Sequence, residues 1–247
     1  MLNVEGLGLR IGGVSIVEGV TLDVVDGEFL VIIGPNGAGK TTLFNLLSGV
    51  IAPTSGQIVF EGREITHAPP FVRARLGMGR TFQTSTIFAG LTTLENARLA
   101  AQAALGGSGA LWQLADREGA PLERARVVLS SVGLGHRAQS LAGALSHGEK
   151  RKLDLAILLC GEPKIVLLDE PTAGMAVEDV PEMMELIRGI HRAQGKTVLM
   201  VEHRMDLILG LADRMAVMHH GSLLAVDTPE RIMQNETVQS AYLGDPL

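Results

Sequence analysis

The sequence predicts an α/β fold: a parallel core sheet, an N-terminal antiparallel β-layer and an inserted α-helical subdomain. Three observations predict it. Apolar runs of strand length, Phe29-Leu30-Val31-Ile32-Ile33, Ile165-Val166-Leu167-Leu168 and residues 197–201, alternate with segments of helical spacing, as in a sheet covered on both faces. Short strand-like pieces at residues 7–11 and 21–24 are punctuated by Gly12-Gly13 and Asp26-Gly27, the signature of tight turns. From about residue 92 to 160 the texture changes, and Leu94, Ala97, Arg98, Ala101, then Leu122, Arg126, Leu129 recur at helical intervals.

In chain order, the first 33 residues read as the β-layer leading into the strand 29–33, and a helix begins over residues 42–47. Pro53-Thr54-Ser55-Gly56 closes that helical region, residues 57–60 form another strand, and Arg73-Ala74-Arg75-Leu76 lies on a short helix. Gly106-Gly107-Ser108-Gly109 breaks the helical insertion. After it come the strand 165–168, a helix over 178–194, the strand 197–201, two late strands at 215–218 and 222–226, and a tail from Thr228 with two short helices.

Bulk properties narrow the function. With 247 residues, 46% of them apolar, the chain can bury one large α/β core. A net charge of −6 argues against a dedicated nucleic-acid binder, which would carry a basic stripe. Cys160, the single cysteine, reads as a buried structural thiol. No run approaches the ~18 apolar residues of a membrane span, and Met1-Leu2-Asn3-Val4-Glu5 lacks the features of a signal peptide. The expectation is a cytosolic protein that meets a membrane only through partners.

The chemistry concentrates in three stretches. Gly34-Pro35-Asn36-Gly37-Ala38-Gly39-Lys40-Thr41 joins a strand to a helix. Its backbone N–H groups and the helix N-terminus can cradle a triphosphate. Lys40 would reach the β- and γ-phosphates, the Thr41 hydroxyl would meet Mg²⁺, and Thr42 would donate toward the α-phosphate. Kinases, GTPases and transport ATPases all use such a loop. Next, Asp169 and Glu170 emerge at the carboxyl end of an apolar strand, where ligands bind in open α/β sheets. Asp169 would hold Mg²⁺, mostly through water, and Glu170 would polarise an attacking water. Finally, Leu145-Ser146-His147-Gly148-Glu149 precedes a helical run, with Ser146 as N-cap and Glu149 three residues on as in a capping box.

That last stretch resembles the Leu-Ser-Gly-Gly-Gln signature of ATP-binding-cassette ATPases, and it stands between the phosphate loop and the Asp-Glu strand as in that family. The resemblance covers essentially the whole chain and implies a P-loop NTPase (RecA-like) core. One cassette would occupy residues 1–247: a catalytic core at 1–83 and 162–227, a helical subdomain at 84–161 and a helical tail at 228–247. It implies that Gln83, within Arg80-Thr81-Phe82-Gln83, senses Mg²⁺ and the γ-phosphate beside the transporter contact, and that His203 bonds the γ-phosphate and Glu170. It implies too that Ser146 and Gly148 bind the γ-phosphate of an ATP held by a second cassette, in a homodimer or a related heterodimer. Arg80-Thr81-Phe82-Gln83, the run Asp169-Glu170-Pro171-Thr172-Ala173-Gly174 and the tail Ala241-Tyr242-Leu243-Gly244 look like the ATPase subunits of branched-chain amino acid importers and the related urea and amide importers.

The implied protein is an Mg²⁺-dependent ATPase at the cytoplasmic face of the membrane, bound to integral-membrane permease subunits near Gln83 and Phe88 and, through them, to a periplasmic solute-binding protein. A lipid-type exporter subunit and a soluble regulatory cassette are the alternatives. Four positions depart from the family pattern. Ile11 stands where an aromatic residue stacks on adenine, His147 and Glu149 replace Gly and Gln of the signature, and Ala176 falls where many cassettes place an aspartate. Lys150 or Arg151 is expected to offset Glu149. Lys150-Arg151-Lys152 reads as a solvated helix start and His219-His220 as surface imidazoles.

Overall fold

A computed structural model describes residues 1–81, 86–105 and 119–243, apart from the side chains of Asp206, Tyr242 and Leu243. The chain forms two compact units, one of Met1–Met78, Ile165–Glu170 and Arg188–Leu247, the other of Gly79–Lys164 and Pro171–Ile187. In chain order the elements are β1 (Leu2–Ile11), β2 (Val14–Val24), β3 (Phe29–Ile33), α1 (Lys40–Leu47), β4 (Ser55–Phe60), β5 (Arg63–Glu64), α2 (Pro70–Leu76) and β6 (Met78–Arg80). The helices α3 (Thr93–Ala104), α4 (Gly119–Ser131) and α5 (His147–Cys160) follow. Then come β7 (Ile165–Asp169), α6 (Val180–Gln194), β8 (Thr197–Val201), α7 (Met205–Ile208), β9 (Arg214–His219), β10 (Ser222–Asp227), α8 (Pro229–Gln234) and α9 (Glu236–Leu243).

The first unit holds two sheets. One is antiparallel, with β2, β1, β4 and β5 in that order; the other runs β10-β9-β3-β8-β7. Within the second, β9, β3, β8 and β7 are mutually parallel, and β10 returns antiparallel on β9. Every residue of β3, β7 and β8 is buried, as the unbroken apolar runs required. Each buried Val, Leu or Ile contributes about 1.5–3 kcal/mol, so these strands form a stiff centre. Their carboxyl ends, side by side in the order β3, β8, β7, deliver residues 34, 202 and 170 to one edge of the sheet. The fold class read from the sequence therefore holds.

Several boundaries moved. The β-layer strands are longer than the sequence suggested, because β1 and β2 pair along nearly their whole length through three register shifts that keep Leu2, Val4, Leu7 and Leu9 inward. The strand read at 57–60 is β4, which starts two residues earlier at Ser55 and pairs with β1 to complete the layer. α1 stops at Leu47, well before Pro53: Ser48 Oγ donates back to the Phe44 carbonyl, and Gly49 turns the chain with φ 77°. The helix expected from residue 178 begins at Val180, after a 3-10 turn at Val177–Asp179.

In the second unit, small residues (Ala97, Ala101, Ala125 and Ala156, all fully buried) let α3, α4 and α5 approach closely. Thr92 caps α3 by accepting from Glu95 N at 3.1 Å. The glycine-rich break at residues 106–109 lies outside the described residues. Among the described residues no helix is long and apolar enough to cross a membrane.

Candidate active site

The loop from Gly34 to Gly39 leaves β3 and enters α1. Gly34 is held so tightly against the end of β9 that a Cβ there would lie 2.2 Å from the Met218 carbonyl oxygen, so no larger residue fits without moving the strand. The same region is braced by Gly221 N, which donates to the Ala38 carbonyl at 3.1 Å. Pro35 is half-buried, Asn36 and Gly37 are exposed, and Ala38 is buried beneath them. α1 begins on Gly39 with no side-chain cap, whereas Thr92 and Ser146 cap α3 and α5. An uncapped N-terminus that opens from a glycine loop leaves its first-turn N–H groups to an anion.

Lys40 is buried, at 6% exposure. Its ammonium donates to the Gly34 carbonyl at 2.7 Å and the Pro35 carbonyl at 2.9 Å. Burial pushes its pKa below the ordinary 10.5, while the negative charges of Glu170 and then Asp169 push back. Thr41 and Thr42, half-buried, follow in the first turn of α1.

Asp169 ends β7 at 1% exposure, in register with Val201 of β8. A carboxylate buried behind four apolar residues is costly unless a charge or strong donors hold it. Glu170 follows with φ 49°, a left-handed conformation uncommon for a residue with a Cβ, and its N–H donates to the Val201 carbonyl at 3.1 Å. That twist directs Glu170 away from the line of Asp169. Its Oε1 lies 2.5 Å from His203 Nε2. A carboxylate can only accept, so Nε2 carries the proton. His203 N in turn donates to Oε2 of the buried Glu202 at 3.1 Å, which orients the residue that follows β8. The structure thus brings together Lys40, Asp169, Glu170 and His203 at the carboxyl ends of adjacent strands.

Ser146 and Gly148 stand in the other unit, at the start of α5. Ser146 Oγ accepts from Glu149 N at 3.2 Å, and Glu149 Oε2 accepts from Ser146 N at 2.8 Å, the capping box the sequence predicted. Ser146 is exposed and Gly148 buried. The offset to Glu149 is not the one expected: its Oε1 pairs with Arg137 Nε at 3.0 Å. The reading of Lys150-Arg151-Lys152 as solvated is also corrected. Arg151 is buried, and Lys152 Nζ pairs with Glu182 Oε2 at 2.6 Å, because α5 turns this face toward the segment after Pro171. Ile11 is 58% exposed at the tip of the β1–β2 hairpin, directly opposite Val14, itself 61% exposed. Sequence reasoning passed over Val14, although its place directly after the Gly12-Gly13 turn could have marked it. His219 and His220 lie against each other, ring centroids 4.0 Å apart. Gln83 lies outside the described residues.

The oxygen donors here, a threonine hydroxyl and a buried carboxylate, are of the hard type that suits Mg²⁺. Among the described residues, no group of three or more His, Cys, Asp or Glu could hold a metal on its own.

A phosphate loop on the central strand, an acidic pair on the next but one and a histidine on the strand between them define a nucleotide hydrolase of the P-loop class. Comparison with known proteins agrees: the family model for ABC transporters matches residues 17–173, and the chain belongs to that family. It is 39% identical over 250 residues to the high-affinity branched-chain amino acid transport ATP-binding protein LivG of Salmonella typhimurium, covering 99% of this chain and 98% of the relative. With BraF of Pseudomonas aeruginosa, also a high-affinity branched-chain amino acid transport ATP-binding protein, identity is 37% over 252 residues, with the same coverage. Among solved structures it is similar to the ADP conformation of MJ1267, an ATP-binding cassette of an ABC transporter, with a TM-score of 0.85, 28% identity and 99% of each chain covered. The chain is accordingly an ATP-binding ABC-type ATPase.

Proposed function

We propose that this ATPase powers import of branched-chain amino acids, or of a small polar solute of the same kind such as an amide or urea. It would act as a peripheral subunit at the cytoplasmic face of the membrane, against integral permease subunits supplied by a periplasmic solute-binding protein. Full-length similarity to LivG and BraF, named for high-affinity branched-chain amino acid transport, supports that solute class. Phe88, 62% exposed, suits the permease contact: buried Asn96 accepts from its N–H at 2.8 Å and donates to its carbonyl at 3.1 Å, so the loop is presented firmly.

Two copies would face head to tail, each giving a phosphate loop to one ATP and the Ser146–Gly148 turn to the other. The Ser146 hydroxyl, already accepting from Glu149 N, keeps its own proton to donate to a phosphate oxygen. On binding, Lys40 would exchange the Gly34 and Pro35 carbonyls for β- and γ-phosphate oxygens, and the open first turn of α1 would take the remaining charge. Thr41, Asp169 and Gln83 are the residues that would hold Mg²⁺, which when bound neutralises charge developing on the phosphates. Ile11 and Val14 would pack against the base as an aliphatic surface.

One contact supports the hydrolytic assignment above the others, the pair of His203 Nε2 and Glu170 Oε1. A protonated Nε2 leaves Glu170 as an oriented acceptor for the proton of a water aimed at the γ-phosphate. His203 would stabilise the developing charge, and closure of the dimer would exclude other water. The test is Glu170→Gln in the full chain. We expect ATP binding within about twofold of wild type and turnover lowered at least about 100-fold, the scale of a lost general base. Turnover near wild type would remove Glu170 from the role.

A further inference from the structure

The chain that follows Glu170 is anchored on the first turn of α5. The Ala173 carbonyl is met there by two side chains, His147 Nε2 at 3.4 Å and Arg151 Nη2 at 3.4 Å. A carbonyl only accepts, so the His147 Nε2 that bonds it carries the proton. At Gly174 the chain turns with φ 75°, and a Cβ there would lie 3.1 Å from the same Nε2, tighter than ordinary contact. Imidazole and turn are therefore fitted to each other. Gly148 lies against Met175 and Asp179 of the same segment, and Lys152 pairs with Glu182 at 2.6 Å just beyond it. All of these contacts fall within one compact unit.

His147 thus stands at the junction of two parts of the proposed machinery. In the chain it sits between Ser146 and Gly148, and the carbonyl it touches is three residues from Glu170. Both bonds to Ala173 are long for hydrogen bonds. Two long bonds to one acceptor hold a segment in place without locking it, and such contacts can tighten once a ligand is seated.

We infer that His147 is a positioning residue that couples the two nucleotide sites: it ties the segment after Glu170 to the α5 turn, so that a phosphate arriving on that turn sets the placement of Glu170. The inference rests on the two-site reading above. A second ATP draws on the Ser146–Gly148 turn; the imidazole carries that displacement to Ala173; the short chain from Ala173 to Glu170 passes it to the carboxylate that orients water.

The experiment uses the full chain with His147→Ala, which removes the bond, and His147→Gln, whose side-chain amide can still donate to Ala173. ATP binding is measured with Mg²⁺ chelated, and steady-state ATPase is followed against ATP concentration for kcat, KM and the Hill coefficient. For His147→Ala we expect binding within about twofold of wild type, kcat lowered about tenfold (about 1.4 kcal/mol of transition-state stabilisation) and a Hill coefficient reduced from above one to one. His147→Gln should recover kcat to within about threefold of wild type and restore cooperativity. The inference is overturned if His147→Ala keeps the wild-type kcat and Hill coefficient, or if His147→Gln is as impaired as His147→Ala. A wild-type chain that hydrolyses ATP with a Hill coefficient of one also overturns it while leaving Glu170 chemistry intact. A wild-type chain that does not turn over ATP overturns the two-site reading itself.

Discussion

Lys40, Glu170 and Arg73 show how single residues are bent to a task. Lys40 gives up solvation to sit at the head of the phosphate loop, and two loop carbonyls hold it. Glu170 accepts a left-handed backbone to turn away from Asp169. Arg73, 1% exposed, lies away from these residues in sequence and was not distinguishable there from a surface arginine on a short helix. Its guanidinium donates to the carbonyls of Leu46, Leu47, Thr66 and Ala68, closing the C-terminal end of α1, and burial lowers its pKa to about 10. A cation suits that end of a helix. Arg73→Met should cost about 3 kcal/mol, since it strands several buried acceptors at once; a urea midpoint within experimental error of wild type would refute this. If the Ile11 hairpin tip receives the base, as proposed, an aromatic ring there adds stacking of about 0.5–1.5 kcal/mol. Ile11→Tyr should therefore tighten ATP binding about threefold to tenfold, read by titration calorimetry; unchanged affinity would place the base elsewhere.

Among the elements, α5 carries most of the unusual features. Its capping box depends on the Glu149 carboxylate, whose pKa is lowered from 4.5 chiefly by the bond from Ser146 N, with burial opposing and Arg137 adding to the shift. The folded value lies below the unfolded one, so the box stabilises the fold above the unfolded pKa and loses that contribution as pH falls through the folded one. Glu149→Ala should cost about 1 kcal/mol at neutral pH. Glu149→Gln keeps an acceptor that does not titrate. Its unfolding midpoint should fall less than that of wild type as the pH is taken down through 4.5, and parallel pH curves for the two proteins would contradict the assignment. α1 presents the opposite case, a helix start with no side-chain cap, whose first-turn N–H groups are open to an anion.

For the molecule as a whole, the prediction concerns association. If a second copy completes each ATP site, as proposed, this chain of 26.2 kDa should be monomeric without nucleotide. Binding can drive pairing only through differential affinity for the closed state. The Glu170→Gln variant, expected to hold ATP without cleaving it, should elute as a dimer with ATP and Mg²⁺ and as a monomer with ADP. Adding Ser146→Arg to that variant should abolish the dimer, because the bulky cation would fill the turn meant for the phosphate. A doubly substituted chain that still pairs would show that the copies meet through another surface.

The local patterns of the chain determined the strands β3, β7 and β8, the phosphate loop between β3 and α1, the capping box at Ser146 and the acids after β7, because apolar periodicity, glycine spacing and capping chemistry act over a few residues. The tertiary structure alone decided that β3, β8 and β7 lie side by side, and so that Lys40, Asp169, Glu170 and His203, scattered over some 160 positions, converge on one edge. It also decided that Arg137 rather than a neighbour of Glu149 answers its charge, that Arg73 is an interior cap, and that His147 reaches Ala173. Each of these depends on which partner occupies the space opposite a side chain, and long-range packing sets that partner without leaving a periodic trace in the sequence.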